Sequence, residues 1–183
     1  MHCGFETFLA RYCAPMLFGR KPATLLPEKS VPPDPDWTKL QALGFYICRL
    51  YSARQHVLLL IYSPTLLSAA LSDRKVQQRL TQIGYPDIQD YKTLLNHLKK
   101  RFCYSNEFPH EVGFFLGYPP EDVIGFIDNR NSYKICGQWK VYSNEDRAAA
   151  LFEEYDKFRS VLLSHIANGG TIFAAPALPI SAG

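Results

Sequence analysis

The sequence predicts a single α+β domain: a sheet of about four strands, mostly antiparallel or mixed, with helices packed on it. Three observations lead there. Two runs rich in β-formers, 45–51 and 56–62, flank the polar Ser52-Ala53-Arg54-Gln55, which is the pattern of a β-hairpin. Several other stretches repeat apolar residues at helical spacing. The composition, 47% hydrophobic and 20% charged over 183 residues, is that of a globular chain able to bury ~70% of its unfolded surface without metal or disulfide staples.

Taken in order, Phe5, Phe8, Leu9 and Tyr12 mark a first helix. It is expected to stop near Cys13-Ala14-Pro15, because the residue before a proline is pushed out of the helical region. A loop through Gly19, Lys21 and Pro22 leads to a short apolar step at Leu25 and Leu26. Four prolines within 27–36 mark a surface connection, and 37–43 suits a short helix. The run 56–62 is apolar almost throughout, as in a central strand covered on both faces. Pro64 then opens a helix through Leu71. Val76, Leu80 and Ile83 mark the next, and Tyr91, Leu94, Leu95, Leu98 and Phe102 the one after, with Lys92, Lys99 and Lys100 outward.

Residues 112–116 and 133–142 read as the third and fourth strands, with a short helix over 119–127 between them. Ser143 with Asp146 has the form of a capping box for a last helix lined by Leu151, Tyr155, Phe158, Leu162 and His165. The domain is therefore assigned to 1–168, and 169–183 to a loosely ordered tail of small apolar residues.

The net charge is +3. The densest basic run, Lys99-Lys100-Arg101, is the solvated side of an amphipathic helix, so a nucleic-acid partner is not expected. The five cysteines, Cys3, Cys13, Cys48, Cys103 and Cys136, are odd in number and scattered, and no secretory leader is apparent. Reduced thiols in a cytoplasmic setting follow. The longest apolar stretch, 57–71, contains Tyr62, Ser63 and Pro64 and falls short of the ~20 residues that span a bilayer, so no membrane partner is expected.

The most informative stretch is 108–127, with Pro109-His110-Glu111 and Leu116-Gly117-Tyr118-Pro119, followed by Trp139-Lys140-Val141-Tyr142. Together with Cys13-Ala14-Pro15 and Lys21-Pro22-Ala23, these motifs resemble a bacterial family of uncharacterised proteins of about this length. That family is catalogued as a domain of unknown function. The resemblance runs over about residues 5–160 and implies relatives, but neither an activity nor a cofactor.

The residues themselves offer a working surface built from the Cys13–Pro22 loop, His110-Glu111 and the turn 117–122. His110 and Glu111 are placed at the entry of the 112–116 strand, on opposite faces if it is regular. Gly117 permits a tight turn, and Glu121 and Asp122 complement the positive end of the following helix. A two-histidine zinc helix would need His at position 114, which is Phe114. Cys103 with His110 supplies only two ligands, so no metal site is assigned.

Function divides into three readings. One is a small-ligand or metal-handling accessory domain with a pocket around Cys13, His110 and Glu111. Lys21, Gly117, Tyr118 and Trp139 are its ligand-binding candidates. Another is a thiol-dependent hydrolase or transferase, with Cys13 as nucleophile, His110 as base and Glu111 as orienter. Its support is a likeness of the His110 segment to the His-x-Gly-x-x-x-Gly strand of cell-wall peptidases. One extra residue between His110 and Gly113 turns the histidine to the other face. The third is an interaction module using the helices within 64–102. The sequence specifies no cofactor and no partner.

Overall fold

The computed structural model describes residues 4–51, 56–87 and 90–174. Its helices are α1 (Phe5–Leu17), α2 (Trp37–Ala42), α3 (Pro64–Leu71), α4 (Arg74–Gln82), α5 (Tyr91–Tyr104), α6 (Val112–Phe115), α7 (Pro120–Asp128) and α8 (Glu145–Ala167). The strands are β1 (Ala23–Pro27), β2 (Tyr46–Tyr51), β3 (Val57–Tyr62), β4 (Ile135–Cys136) and β5 (Lys140–Val141).

The hairpin forms as the two β-rich runs predict. β2 pairs antiparallel with β3, placing Cys48 opposite Leu60 and Arg49 opposite Leu59. The polar break between them, 52–55, lies outside the described residues. β3 is central, and β1 pairs antiparallel with its other edge. Successive strand residues point to opposite faces, so Leu60 enters one core and Ile61 another. The Leu60 core joins Leu50, Leu67, Leu98, Phe102, Phe114 and Phe115. The Ile61 core joins Phe8, Leu9, Cys13, Leu26, Leu40 and Leu162. The sheet is thus covered on both faces, by α3–α7 on one side and by α1, α2 and α8 on the other.

Three expectations are corrected. The sheet is not four-stranded. β1 to β3 form a three-stranded sheet, and β4 and β5 a separate two-stranded one. Residues 112–116 are not a strand. Val112–Phe115 is helical, and His110 and Glu111 form the turn that leads into it. Residues 133–142 are not one strand but two short ones that pair as a hairpin, Cys136 opposite Lys140.

The first helix also passes through Pro15 instead of ending before it. Proline removes the amide that would bond to the carbonyl four residues back. Here that carbonyl belongs to Arg11, and Arg159 of α8 donates its Nε to it at 2.9 Å. The long-range bond replaces the missing local one. At α8 the cap is Asn144, which accepts from the Arg147 amide at 2.9 Å, and Ser143 serves elsewhere.

Part of the expected tail is described. Glu6 accepts from Thr171 Oγ1 at 2.9 Å and from the Ile172 amide at 2.6 Å. Ile172 is buried, and Phe173 stacks on Phe5. Packing therefore continues past residue 168, while 175–183 lie outside the described residues. No helix among the described residues is long and apolar enough to cross a membrane.

Candidate functional site

The turn after α5 places His110 between two phenylalanines, with ring centroids 5.3 Å from Phe108 and 4.8 Å from Phe126. The imidazole is half-buried. Burial first, and then the Arg130 guanidinium, hold its pKa below the ordinary histidine value, so the ring is neutral at neutral pH.

His110 and Phe108 form a wall shared by three depressions, one of which, of about 430 Å³, is also lined by Arg101, Glu107, Glu111 and Arg130. A second is a half-open cavity of about 240 Å³ bounded by α6, α7 and the β4–β5 hairpin; Leu116, Tyr118, Phe126, Trp139 and Lys140 contribute to its lining. Another is a groove of about 900 Å³ bounded by Glu28, Lys29, His56, Phe102, Glu107 and Arg130. At the rim, Lys140 Nζ lies 4.4 Å from the Tyr133 ring centroid and 5.7 Å from that of Phe126, and the Arg130 guanidinium lies 5.7 Å from Phe126. Neither cation has an ion-pair partner among the described residues.

One buried carboxylate holds the cavity's walls together. Asp122, on the first turn of α7, accepts from Trp139 Nε1 at 2.8 Å on one oxygen. The other oxygen accepts from the Tyr142 amide at 2.8 Å, the Ser143 amide at 2.9 Å and Ser143 Oγ at 2.8 Å. This network fixes the hairpin against α7 and sets the plane of the Trp139 ring. Trp139 in turn stacks on Tyr118, with centroids 4.9 Å apart.

The residues singled out from the sequence divide between different places. His110, Tyr118 and Trp139 meet at the cavity. Gly117 is the turn that aims Tyr118. Its φ is +74°, and a Cβ there would lie 2.3 Å from Pro22 Cδ, so only glycine suits both the conformation and the contact. Lys21 stands behind the cavity wall, its Nζ 5.1 Å from the Tyr118 ring centroid. Glu111 is buried and turned to Arg101 and Tyr85, accepting from Arg101 Nε at 2.8 Å and the Tyr85 hydroxyl at 3.2 Å. Cys13 is fully buried on α1 in the core that faces α8. Burial pushes its thiol up to about 12, against the pull of the Lys21 ammonium. At neutral pH Cys13 is therefore a protonated thiol, and no hydrogen bond links it to His110 among the described residues.

Sequence reasoning missed Phe126, Arg130 and Lys140, and it placed Asp122 in the working turn 117–122 without its structural role. An aspartate beside Glu121 at a helix start carries the ordinary signal of dipole complementation, which conceals its role as a four-bond acceptor. No group of three or more His, Cys, Asp or Glu side chains placed to hold a metal occurs among the described residues.

An α+β chain with an apolar cavity walled by one neutral histidine and lined by one lysine is the class that fold and site define. The chain belongs to the family described as Protein of unknown function (DUF3793), whose model matches residues 9–174. No curated protein and no solved structure matches it.

Proposed function

We propose that this chain is a small-ligand-binding domain. Its ligand seats a planar apolar group between Trp139, Phe126 and His110 and turns an acidic group toward Arg130 and Lys140. The supporting observation is the conjunction at His110: an apolar cavity of about 240 Å³ whose rim carries Lys140, beside a groove bounded by Lys29 and Arg130. Binding sites are typically apolar clefts with a few placed polar groups, and Lys140, the cation that lines this cavity and has no ion-pair partner among the described residues, favours an anionic group there. A neutral imidazole adds one donor and one acceptor at the cavity wall. Cys13 and Glu111 fall outside this pocket, the first as core packing and the second as the buried partner of Arg101. The exposed thiols of Cys103 and Cys136 support a reducing, cytoplasmic setting.

The test is a titration with 1-anilinonaphthalene-8-sulfonate, a planar anionic fluorophore. Saturable binding to the folded protein is expected. Lys140→Ala should weaken it about 5–30-fold, the loss of ~1–2 kcal/mol that one charge-assisted contact supplies. Binding that is absent, or unchanged in both Lys140→Ala and Phe126→Ala, removes the reading.

A further inference from the structure

The turn that brings His110 to the cavity sends Glu111 to the other side of the same wall. There the depression of about 430 Å³ lies between the end of α5 and the end of α7, with Arg101, Glu107, Glu111 and Arg130 in its lining. Its volume falls within the range of small-ligand sites. The 240 Å³ cavity has only Phe108 and His110 in common with it.

Glu111 is the buried polar group of this site. Only 3% of it is exposed, and both of its donors hold the same oxygen. Oε1 accepts from Arg101 Nε at 2.8 Å and from the Tyr85 hydroxyl at 3.2 Å. Oε2 accepts no hydrogen bond among the described residues. The side-chain polar atoms sealed from solvent without a partner there are Thr24 Oγ1 and Arg79 Nε. Oε2 is not one of them, so it stays open to a partner from outside, and the depression is the opening that Glu111 lines. An unmet carboxylate oxygen in so buried a residue is costly, and a donor arriving in the depression would satisfy it.

Two guanidinium groups line the same space. Arg101 commits its Nε to Glu111, and its two terminal nitrogens have no hydrogen-bond partner among the described residues. Arg130 is held by its carbonyl, which accepts from the Tyr142 hydroxyl at 3.0 Å and from Lys140 Nζ at 3.3 Å. Its side chain is exposed and has no ion pair among the described residues. A planar guanidinium with free terminal nitrogens suits a carboxylate. Ile83, Phe108 and Ile127 add apolar surface beside these charges.

We propose that this depression binds a free α-amino acid as its zwitterion. The carboxylate pairs with the Arg101 and Arg130 guanidinium groups, and the ammonium donates to Glu111 Oε2. An apolar side chain lies on Ile83, Phe108 and Ile127. The charge pattern selects this class. A simple anion would be brought against Oε2 and the exposed Glu107, and a simple cation against the two arginines; like charges repel in either case. A molecule carrying both charges a few bonds apart meets a partner for each.

The experiment titrates the folded full chain with L-phenylalanine and follows two side-chain signals in a ¹H–¹⁵N spectrum, Arg101 Nε–H and Trp139 Nε1–H. N-acetyl-L-phenylalanine, which lacks the ammonium, and L-phenylalaninamide, which lacks the carboxylate, are titrated in parallel. L-Phenylalanine should shift the Arg101 signal saturably. Each derivative should bind about tenfold or more weakly, as the loss of one charge-assisted hydrogen bond requires. Arg130→Gln, at an exposed side chain, should leave the fold intact and also weaken L-phenylalanine. No saturable shift at Arg101, undiminished binding of either derivative, or unchanged affinity in Arg130→Gln overturns the proposal. A saturable shift at Trp139 without one at Arg101 overturns it too, and leaves the ligand site at the neighbouring cavity standing.

Discussion

Replacing Asp122 by asparagine changes one atom's worth of chemistry at the centre of the site. In the wild-type chain one oxygen holds the two amides and the hydroxyl of the Tyr142–Ser143 segment, and the other holds the Trp139 indole. Asparagine keeps the first set if its oxygen takes the place of the three-bond acceptor. Its NH₂ then faces the Trp139 N–H, donor against donor. The indole is 8% exposed, so water cannot substitute freely. Losing a hydrogen bond to a charged acceptor while leaving a buried donor unmet costs about 3 kcal/mol. For a domain of this size that lowers the thermal midpoint by roughly 6–12 °C. The assay is thermal and urea unfolding followed by far-ultraviolet circular dichroism. A double-mutant cycle localises the effect: in the Trp139→Phe background the N–H is gone, so Asp122→Asn should cost about 1–2 kcal/mol less. A loss below ~0.5 kcal/mol, or equal losses in both backgrounds, would refute the argument that this carboxylate fixes the cavity wall.

Three further outcomes are expected. Iodoacetamide should alkylate Cys103 and Cys136 in the folded protein and leave Cys13 and Cys48 untouched, since the latter pair is buried and burial raises both thiols; rapid native-state labelling at Cys13 contradicts this. Gly117→Ala should destabilise the chain by about 2 kcal/mol or more, through the positive φ and the 2.3 Å approach to Pro22, as read by urea unfolding. The His110 imidazole should titrate below its unfolded value in an NMR pH series. Its contribution to stability is then whole above pH ~6.5 and lost as pH falls through the folded value, and His110→Gln should flatten that part of the stability–pH curve.

Much of the fold was legible because the local signals were unambiguous. β2 and β3 announced themselves by β-branched and aromatic runs around a polar break. α4 did so by Val76, Leu80 and Ile83 on a polar background, and α5 by Leu94, Leu95, Leu98 and Phe102. Residues 112–116 were misread for a definable reason: Val-Gly-Phe-Phe-Leu is apolar at every position, and a run without alternation has no period to separate strand from helix. The tertiary setting decides, since Val112 to Leu116 are all buried. The 133–142 strand breaks at Gly137, where a Cβ would lie 2.2 Å from the Phe152 ring, a contact that no local pattern encodes. Residues at the site followed the same division. His110, Tyr118 and Trp139 stood out as unusual side chains in one motif-rich segment, and they do converge. Cys13 stood out equally, yet its chemistry is set by how deeply α1 packs against α8, which is a property of the assembled core.

The most direct test of the account is the pair of indole N–H resonances in a ¹H–¹⁵N spectrum. Trp139 lines the cavity, whereas Trp37 packs on Phe5, with centroids 5.1 Å apart, beside the opposite core. Titration with 1-anilinonaphthalene-8-sulfonate should shift the Trp139 resonance in a saturable manner and leave Trp37 in place, and Lys140→Ala should raise the concentration required. A shift confined to Trp37, equal shifts at both indoles, or no shift at Trp139 would contradict a ligand site at this cavity.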